Sequence, residues 1–189
     1  MNYDVATVPG RECGECTLCC SVLNIDKPQV QKASGVLCRH CTGGGCGIYE
    51  TRFDVCRSFH CGWMQLPNMD DKWRPDRSGV FVEFQQLNGV TGLSLMLVGN
   101  PLKSVRQPAF IDFVANGVIQ NVPLWMTLPG PPGHEGAQSL MNIPSMREAA
   151  ATSRTAVRTL LEVQLKRLQA YAFQRYVPQN GGNSVGAAD

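Results

Sequence analysis

Hydrophobic and polar residues follow two periods along this chain, and one long stretch follows neither. Val80-Phe81-Val82-Glu83-Phe84-Gln85 alternates in part and is rich in β-branched and aromatic side chains, which predicts a strand. Asn88-Gly89 is a strong hairpin turn signal, so Thr91 to Val98 is expected to run back as the returning strand, ended by Gly99-Asn100-Pro101. Pro108 suits the first turn of a short helix over Ala109 to Asn116, closed by Gly117. Val118 to Leu128 reads as a further strand interrupted by Pro123, and Pro129-Gly130-Pro131-Pro132-Gly133 as a rigid loop. Val157, Leu161, Leu165, Leu168 and Ala172 recur at helical spacing and form one stripe of a long C-terminal helix. Ser145-Met146-Arg147-Glu148 has the capping-box form expected at its start, and Pro178 is expected to stop it. Arg158, Glu162 and Lys166 stand one turn apart on another face, within pairing reach.

Residues 11–63 show no such period, apart from Val30 to Ala33, which is expected as one helical turn. The segment is rich in turn formers, with Gly43-Gly44-Gly45 at its centre. A stretch this poor in apolar residues does not order itself by burial and needs another source of order. The chain therefore divides into a lead-in at 1–10, the cysteine-rich metal-binding segment at 11–63, an α+β region at 64–178 and a disordered tail at 179–189. Residues 64–80 are expected as a loop. The fold class is α+β: an irregular cysteine-rich segment, a small antiparallel sheet and the C-terminal helix.

Composition sharpens this picture at one residue type. The chain has nine cysteines, and all of them lie between Cys13 and Cys61. No apolar run approaches the roughly 20 residues that cross a bilayer. Met1-Asn2-Tyr3-Asp4 lacks the basic start of a signal peptide, so a cytoplasmic location is expected. Disulfides are rare there, and an odd number of cysteines leaves one unpaired. A net charge of +2 favours neither a membrane nor a nucleic-acid partner. Metal ligation by most of these thiols is therefore expected, with buried free thiols or a disulfide scaffold as the plainer alternatives.

The spacings suit that chemistry. Cys13, Cys16 and Cys19 are separated by two-residue gaps, with Cys20 adjacent, and Cys38-Arg39-His40-Cys41 repeats the gap. A two-residue gap lets a tight turn aim two sulfurs at one ion, and soft thiolates suit zinc, copper(I) and iron–sulfur clusters. Cys19 and Cys20 are expected to point in different directions. Closed zinc sites take four ligands each, so eight cysteines would fill two sites or a sulfur-bridged pair. A [4Fe-4S] cluster takes four cysteines, and the first two gaps match the opening of the bacterial ferredoxin spacing, but its closing Cys-Pro is missing.

The segments CGECTLCC at Cys13–Cys20 and CGIYETRFDVCRSFHC at Cys46–Cys61 resemble the CxxCxxCC family, described as a zinc- or iron-chelating domain. The resemblance implies metal ligation by Cys13, Cys16, Cys19, Cys20, Cys38, Cys46, Cys56 and Cys61. This chain departs from the family pattern at Phe53, where proline is usual, and adds Cys41. Some relatives resemble flagellin lysine N-methylases with iron–sulfur clusters, an activity that the resemblance assigns to no residue here.

Other residues have plainer expected roles. Arg39, Arg52 and Arg57 are either partners of the sulfurs or ordinary surface cations. Ile48, Tyr49 and Phe59 are expected as an apolar plug beside the metal, and His40 and His60 as secondary ligand candidates. Trp63, Trp73 and Trp125 are expected in the core or as a lid, and His134 in solvent. Arg147, Arg154, Arg158, Lys166, Arg167 and Arg175 outnumber the acids of the C-terminal helix, which a solvated face explains. No phosphate loop, nucleophile elbow or dinucleotide glycine motif is present. The expected function is metal binding, with zinc, structural and folding its segment, preferred because no catalytic motif accompanies the cysteines. The alternatives are an iron–sulfur protein in electron transfer or assisting a modification reaction, and a zinc-organised interaction module.

Overall fold

A computed structural model of the chain describes residues 6–171. The expected positions of Ala172, Arg175, Pro178 and the tail at 179–189 lie outside the described residues.

The cysteine segment carries a short helix α1 (Leu18–Val22), a hairpin of β1 (Ile25–Lys27) and β2 (Val30–Lys32), a 3-10 turn at Tyr49–Thr51 and a helical turn, α2 (Asp54–Arg57). Val30 to Lys32 is thus a strand, not a helical turn. Three residues are too few to show a period, and pairing of Ile25–Lys27 with Lys32–Val30 decides the conformation. The expected loop that follows is tightened by α3 (Gly62–Gln65) and α4 (Pro75–Ser78), the latter closed by Gly79 at a positive φ.

The remaining elements build the α+β core. Strand β3 (Val80–Leu87) turns through Asn88-Gly89 into β4 (Val90–Leu97), as the alternation and the turn signal require. Both turn residues have positive φ, the conformation that this dipeptide tolerates best. Helices α5 (Pro101–Val105) and α6 (Pro108–Ile119) follow, each with proline in its first turn. Then come β5 (Leu124–Leu128), β6 (Ala137–Leu140), α7 (Pro144–Thr152) and α8 (Arg154–Gln169). The sheet order is β3-β4-β5-β6, with β4 and β5 parallel and the other pairs antiparallel, so the main sheet is mixed.

Three local expectations are corrected here. Helix α6 passes through Gly117 and ends at Ile119, because Leu124 packs where a Cβ at Gly117 would stand. The strand expected from Val118 accordingly starts at Leu124. The long C-terminal helix is two helices, broken at Ser153, whose extended backbone precedes α8 and whose hydroxyl caps the Ala156 N–H. The capping-box residues Ser145 to Glu148 lie inside α7, which starts one residue earlier at Pro144.

One face of the sheet, including Val80, Val82, Leu93, Leu95, Leu97, Leu124 and Met126, is buried in a common core with Phe110, Val114, Val118, Leu161 and Leu165 of the helices. Strand alternation puts Phe81, Glu83, Ser94, Trp125 and Thr127 on the opposite face. The cysteine segment meets both sides of the edge strand β3, and its Cys13 and Cys61 pack against the core of the first face. Phe59 stacks on Phe81 with ring centres 5.9 Å apart, and Ser34 accepts a backbone hydrogen bond from Gly133. The two halves are also tied where the Arg11 guanidinium donates to the carbonyls of Trp63, Leu66 and Met69.

Candidate metal centre

Each cysteine is set by a local backbone device. The gap between Cys13 and Cys16 closes as a turn, with the Cys16 N–H on the Cys13 carbonyl at 3.0 Å. The Cys38–Cys41 gap closes the same way at 2.9 Å. Helix α1 carries Cys19 and Cys20, and the Cys38 N–H bonds the Cys20 carbonyl at 2.8 Å, which ties the second cysteine group to the first. Cys41 and Cys46 form an isolated bridge across the triple-glycine turn. Cys56 lies on α2, and Cys61 is the N-cap of α3.

These devices bring Cys13, Cys16, Cys19, Cys20, Cys38, Cys46, Cys56 and Cys61 onto the wall of one cavity of about 330 Å³. Cys41 is not part of that wall. All nine cysteines are partly buried free thiols. Among the described residues, no three cysteine, histidine or carboxylate side chains are drawn together as the ligand set of a single ion. The sulfurs surround the void instead of meeting at one point. The rest of the wall is largely apolar and includes Ile48, Tyr49 and Phe59, the residues expected as a plug. His40 borders the cavity and His60 does not.

Five of the thiols are held in their protonated form. Burial raises the pKa of Cys13, Cys16 and Cys56 and pushes Cys61 up to about 11. Cys20 is raised first by its hydrogen bond with Cys19 and then by burial. That sulfur contact shows that Cys19 and Cys20 are neighbours at the same wall, against the expectation that they diverge. Opposing features wait for negative sulfur. Backbone N–H groups of Leu18 and Asp76 bond Cys16, and those of Trp63 and Met64 bond Cys61. Such N–H···S contacts orient a thiolate and stabilise it once a metal has displaced the proton.

Three cations stand near the sulfurs. Arg52 acts on Cys13 and Cys56, and its guanidinium lies 3.7 Å from the centre of the Tyr49 ring. Arg74 acts on Cys16 but is locked in a two-point pair with Asp76, at 2.7 and 2.6 Å. Lys32 borders the cavity and acts on Cys19, Cys20 and Cys38; burial lowers its pKa, and these thiols oppose that shift. Of the arginines singled out in the sequence, Arg39 and Arg57 are exposed and bond to His40 Nε2 and to the Arg52 carbonyl. Lys32 and Arg74 were missed. The signal for Lys32 was its position two residues after Val30 on one strand face.

The plainer expectations are mostly met. Trp63, Trp73 and Trp125 are buried. His134 is half-buried, with Nδ1 near the Pro132 carbonyl in a contact that is open to solvent. Glu162 pairs with Arg106 of the α5 end rather than with Arg158 or Lys166, and Arg154 pairs with Asp112 of α6. Part of the basic face of α8 is therefore spent on packing helices together. No helix among the described residues is long and apolar enough to cross a membrane. No family model, no curated protein and no solved structure matches the chain.

Proposed function

We propose that this protein binds soft metal through Cys13, Cys16, Cys19, Cys20, Cys38, Cys46, Cys56 and Cys61. The observation that carries the proposal is that these eight cysteines, and not the ninth, border one cavity. The donor set supports the reading: partly buried thiols with backbone N–H groups on the sulfurs and cations behind them suit zinc or an iron–sulfur cluster, which take thiolate ligands. The motif resemblance to the CxxCxxCC family points the same way. Bound zinc in all-thiolate sites would be structural and would give residues 11–63 the order that their apolar content does not supply. When bound, the metal supplies a strong bond to each sulfur and displaces its proton.

A second reading, an iron–sulfur cluster, is favoured by the shape of the site. The sulfurs surround a void much larger than one ion, and a cluster seats its cysteines around its own volume of iron and sulfide. Elemental analysis with a visible spectrum, on protein purified without air, tests both. Stoichiometric zinc in colourless protein supports the first reading, and iron with sulfide in brown protein supports the second. Protein that holds neither metal after reconstitution refutes the proposal.

A further inference from the structure

Lys32 is the least expected residue at the site. Its side chain is only 7% exposed. Its Nζ donates to the carbonyls of Ser21 at 2.9 Å, Ala33 at 3.2 Å and Val36 at 2.8 Å. An ammonium has three N–H donors and no lone pair, and this clamp uses all three donors. A neutral amine would have to turn its lone pair towards a carbonyl oxygen. The clamp is thus built for a permanent cation.

A buried cation with no anion is unfavourable even when it is hydrogen-bonded. Among the described residues, no carboxylate pairs with Lys32. The ionisable groups that face it are Cys19, Cys20 and Cys38, one from the second cysteine group and two from the first. As thiols they are neutral and leave the ammonium uncompensated. As metal-bound thiolates they carry the missing charge, because four thiolates around a divalent ion leave a net −2.

We infer that Lys32 is the fixed counter-charge of the metal centre, stabilising Cys19, Cys20 and Cys38 as metal-bound thiolates. This rests on the proposed metal binding. The two arginines do not substitute for it: Arg74 is already neutralised by Asp76, and Arg52 acts on Cys13 and Cys56. Lys32 therefore has opposite effects in the two states of the protein. Without metal it is a buried charge that weakens the fold; with metal it holds the site together.

Lys32→Met and Lys32→Gln separate this role from simple packing. Methionine removes both charge and donors, whereas glutamine keeps donors for the carbonyls and removes the charge. The measurements are the urea midpoint of chelator-treated protein and competition for zinc or cobalt(II) against a chromophoric chelator. Both variants are expected to lose metal affinity by roughly 10- to 100-fold, the range typical of groups behind the ligands. Glutamine is expected to keep or raise the metal-free midpoint, and Lys32→Arg to stay closer to wild type in affinity. Equal affinity in wild type and Lys32→Gln overturns the inference. So does a glutamine variant that is destabilised equally with and without metal, which would make Lys32 a structural clamp. Wild-type protein that takes up neither metal and assembles no cluster overturns the underlying proposal itself.

Discussion

The proposed metal binding predicts a large release of protons. Cys13, Cys16, Cys20, Cys56 and Cys61 all have pKa values raised above that of an ordinary thiol, Cys61 to about 11. At neutral pH each of these five carries its proton, and only the thiolate binds metal. Full loading at pH 7 should therefore release about five protons from these residues. Calorimetric titration of chelator-treated protein in two buffers of different ionisation enthalpy counts them. Affinity should rise with pH by about one decade per pH unit for each sulfur bound, or about four decades for a four-sulfur site. Without metal the pH dependence reverses. A thiol whose pKa is higher in the folded chain than in the unfolded one stabilises the fold fully below the unfolded value, near 8.5, and that contribution is lost as pH rises through the folded value. Metal-free protein should thus weaken between about pH 8.5 and Cys61's value of about 11, while metal affinity is still rising. Metal uptake with fewer than about two protons released would refute the reasoning, because the bound groups would then be other than these thiols.

Single substitutions test the rest. Cys41→Ser should keep the wild-type metal content and Cys16→Ser should lose metal, by elemental analysis after dialysis; equal loss in both would remove the distinction that the cavity draws. Glu83 lies on the same sheet face as Phe81, opposite Ser94, and burial pushes its pKa up to about 7 from 4.5. That shift makes ionised Glu83 unfavourable by up to roughly 3 kcal/mol, a penalty absent below pH 4.5 and complete above pH 7. Glu83→Gln should therefore raise the urea midpoint at pH 8 and leave it almost unchanged at pH 4; parallel curves would show that the carboxyl is not buried in the fold. Gly92→Ala should destabilise by about 1–3 kcal/mol, because its Cβ would collide with the Pro123 carbonyl and the Trp125 ring across the parallel strand pair. An unchanged melting temperature would place Trp125 elsewhere.

The elements legible in the sequence are those whose signal is local. Val80 to Leu87 alternates, Asn88-Gly89 has the dihedrals that a tight hairpin needs, and Pro108 opens a helix wherever its missing N–H leaves no bond unmade. What was not legible depends on partners distant in sequence. Gly117 resembles a helix end by itself and becomes a helix interior because Leu124 packs against it. The break at Ser153 lies within helix-favouring sequence, and a hydroxyl that caps the next helix fixes it. The parallel pairing of β4 with β5 needs a crossover through α5 and α6 that no strand period announces.

The site divides along the same line, and Cys38 and Cys41 show why. They flank a single backbone turn, and local spacing makes them an equivalent pair of candidates. The motif resemblance selects Cys38. In the fold the Cys38 N–H is tied to the Cys20 carbonyl and Cys38 borders the cavity; Cys41 does not border it, although its side chain hydrogen-bonds that of Cys20. Spacing shows that two sulfurs can approach one point, but only tertiary contacts decide which way a turn faces. For the same reason Lys32 reads in sequence as one more surface charge. Its meaning depends on three carbonyls and three thiols that lie on other segments or beyond its own strand. A cation buried in that position is difficult to account for in a protein whose sulfurs remain neutral, and simple to account for in one whose sulfurs hold metal.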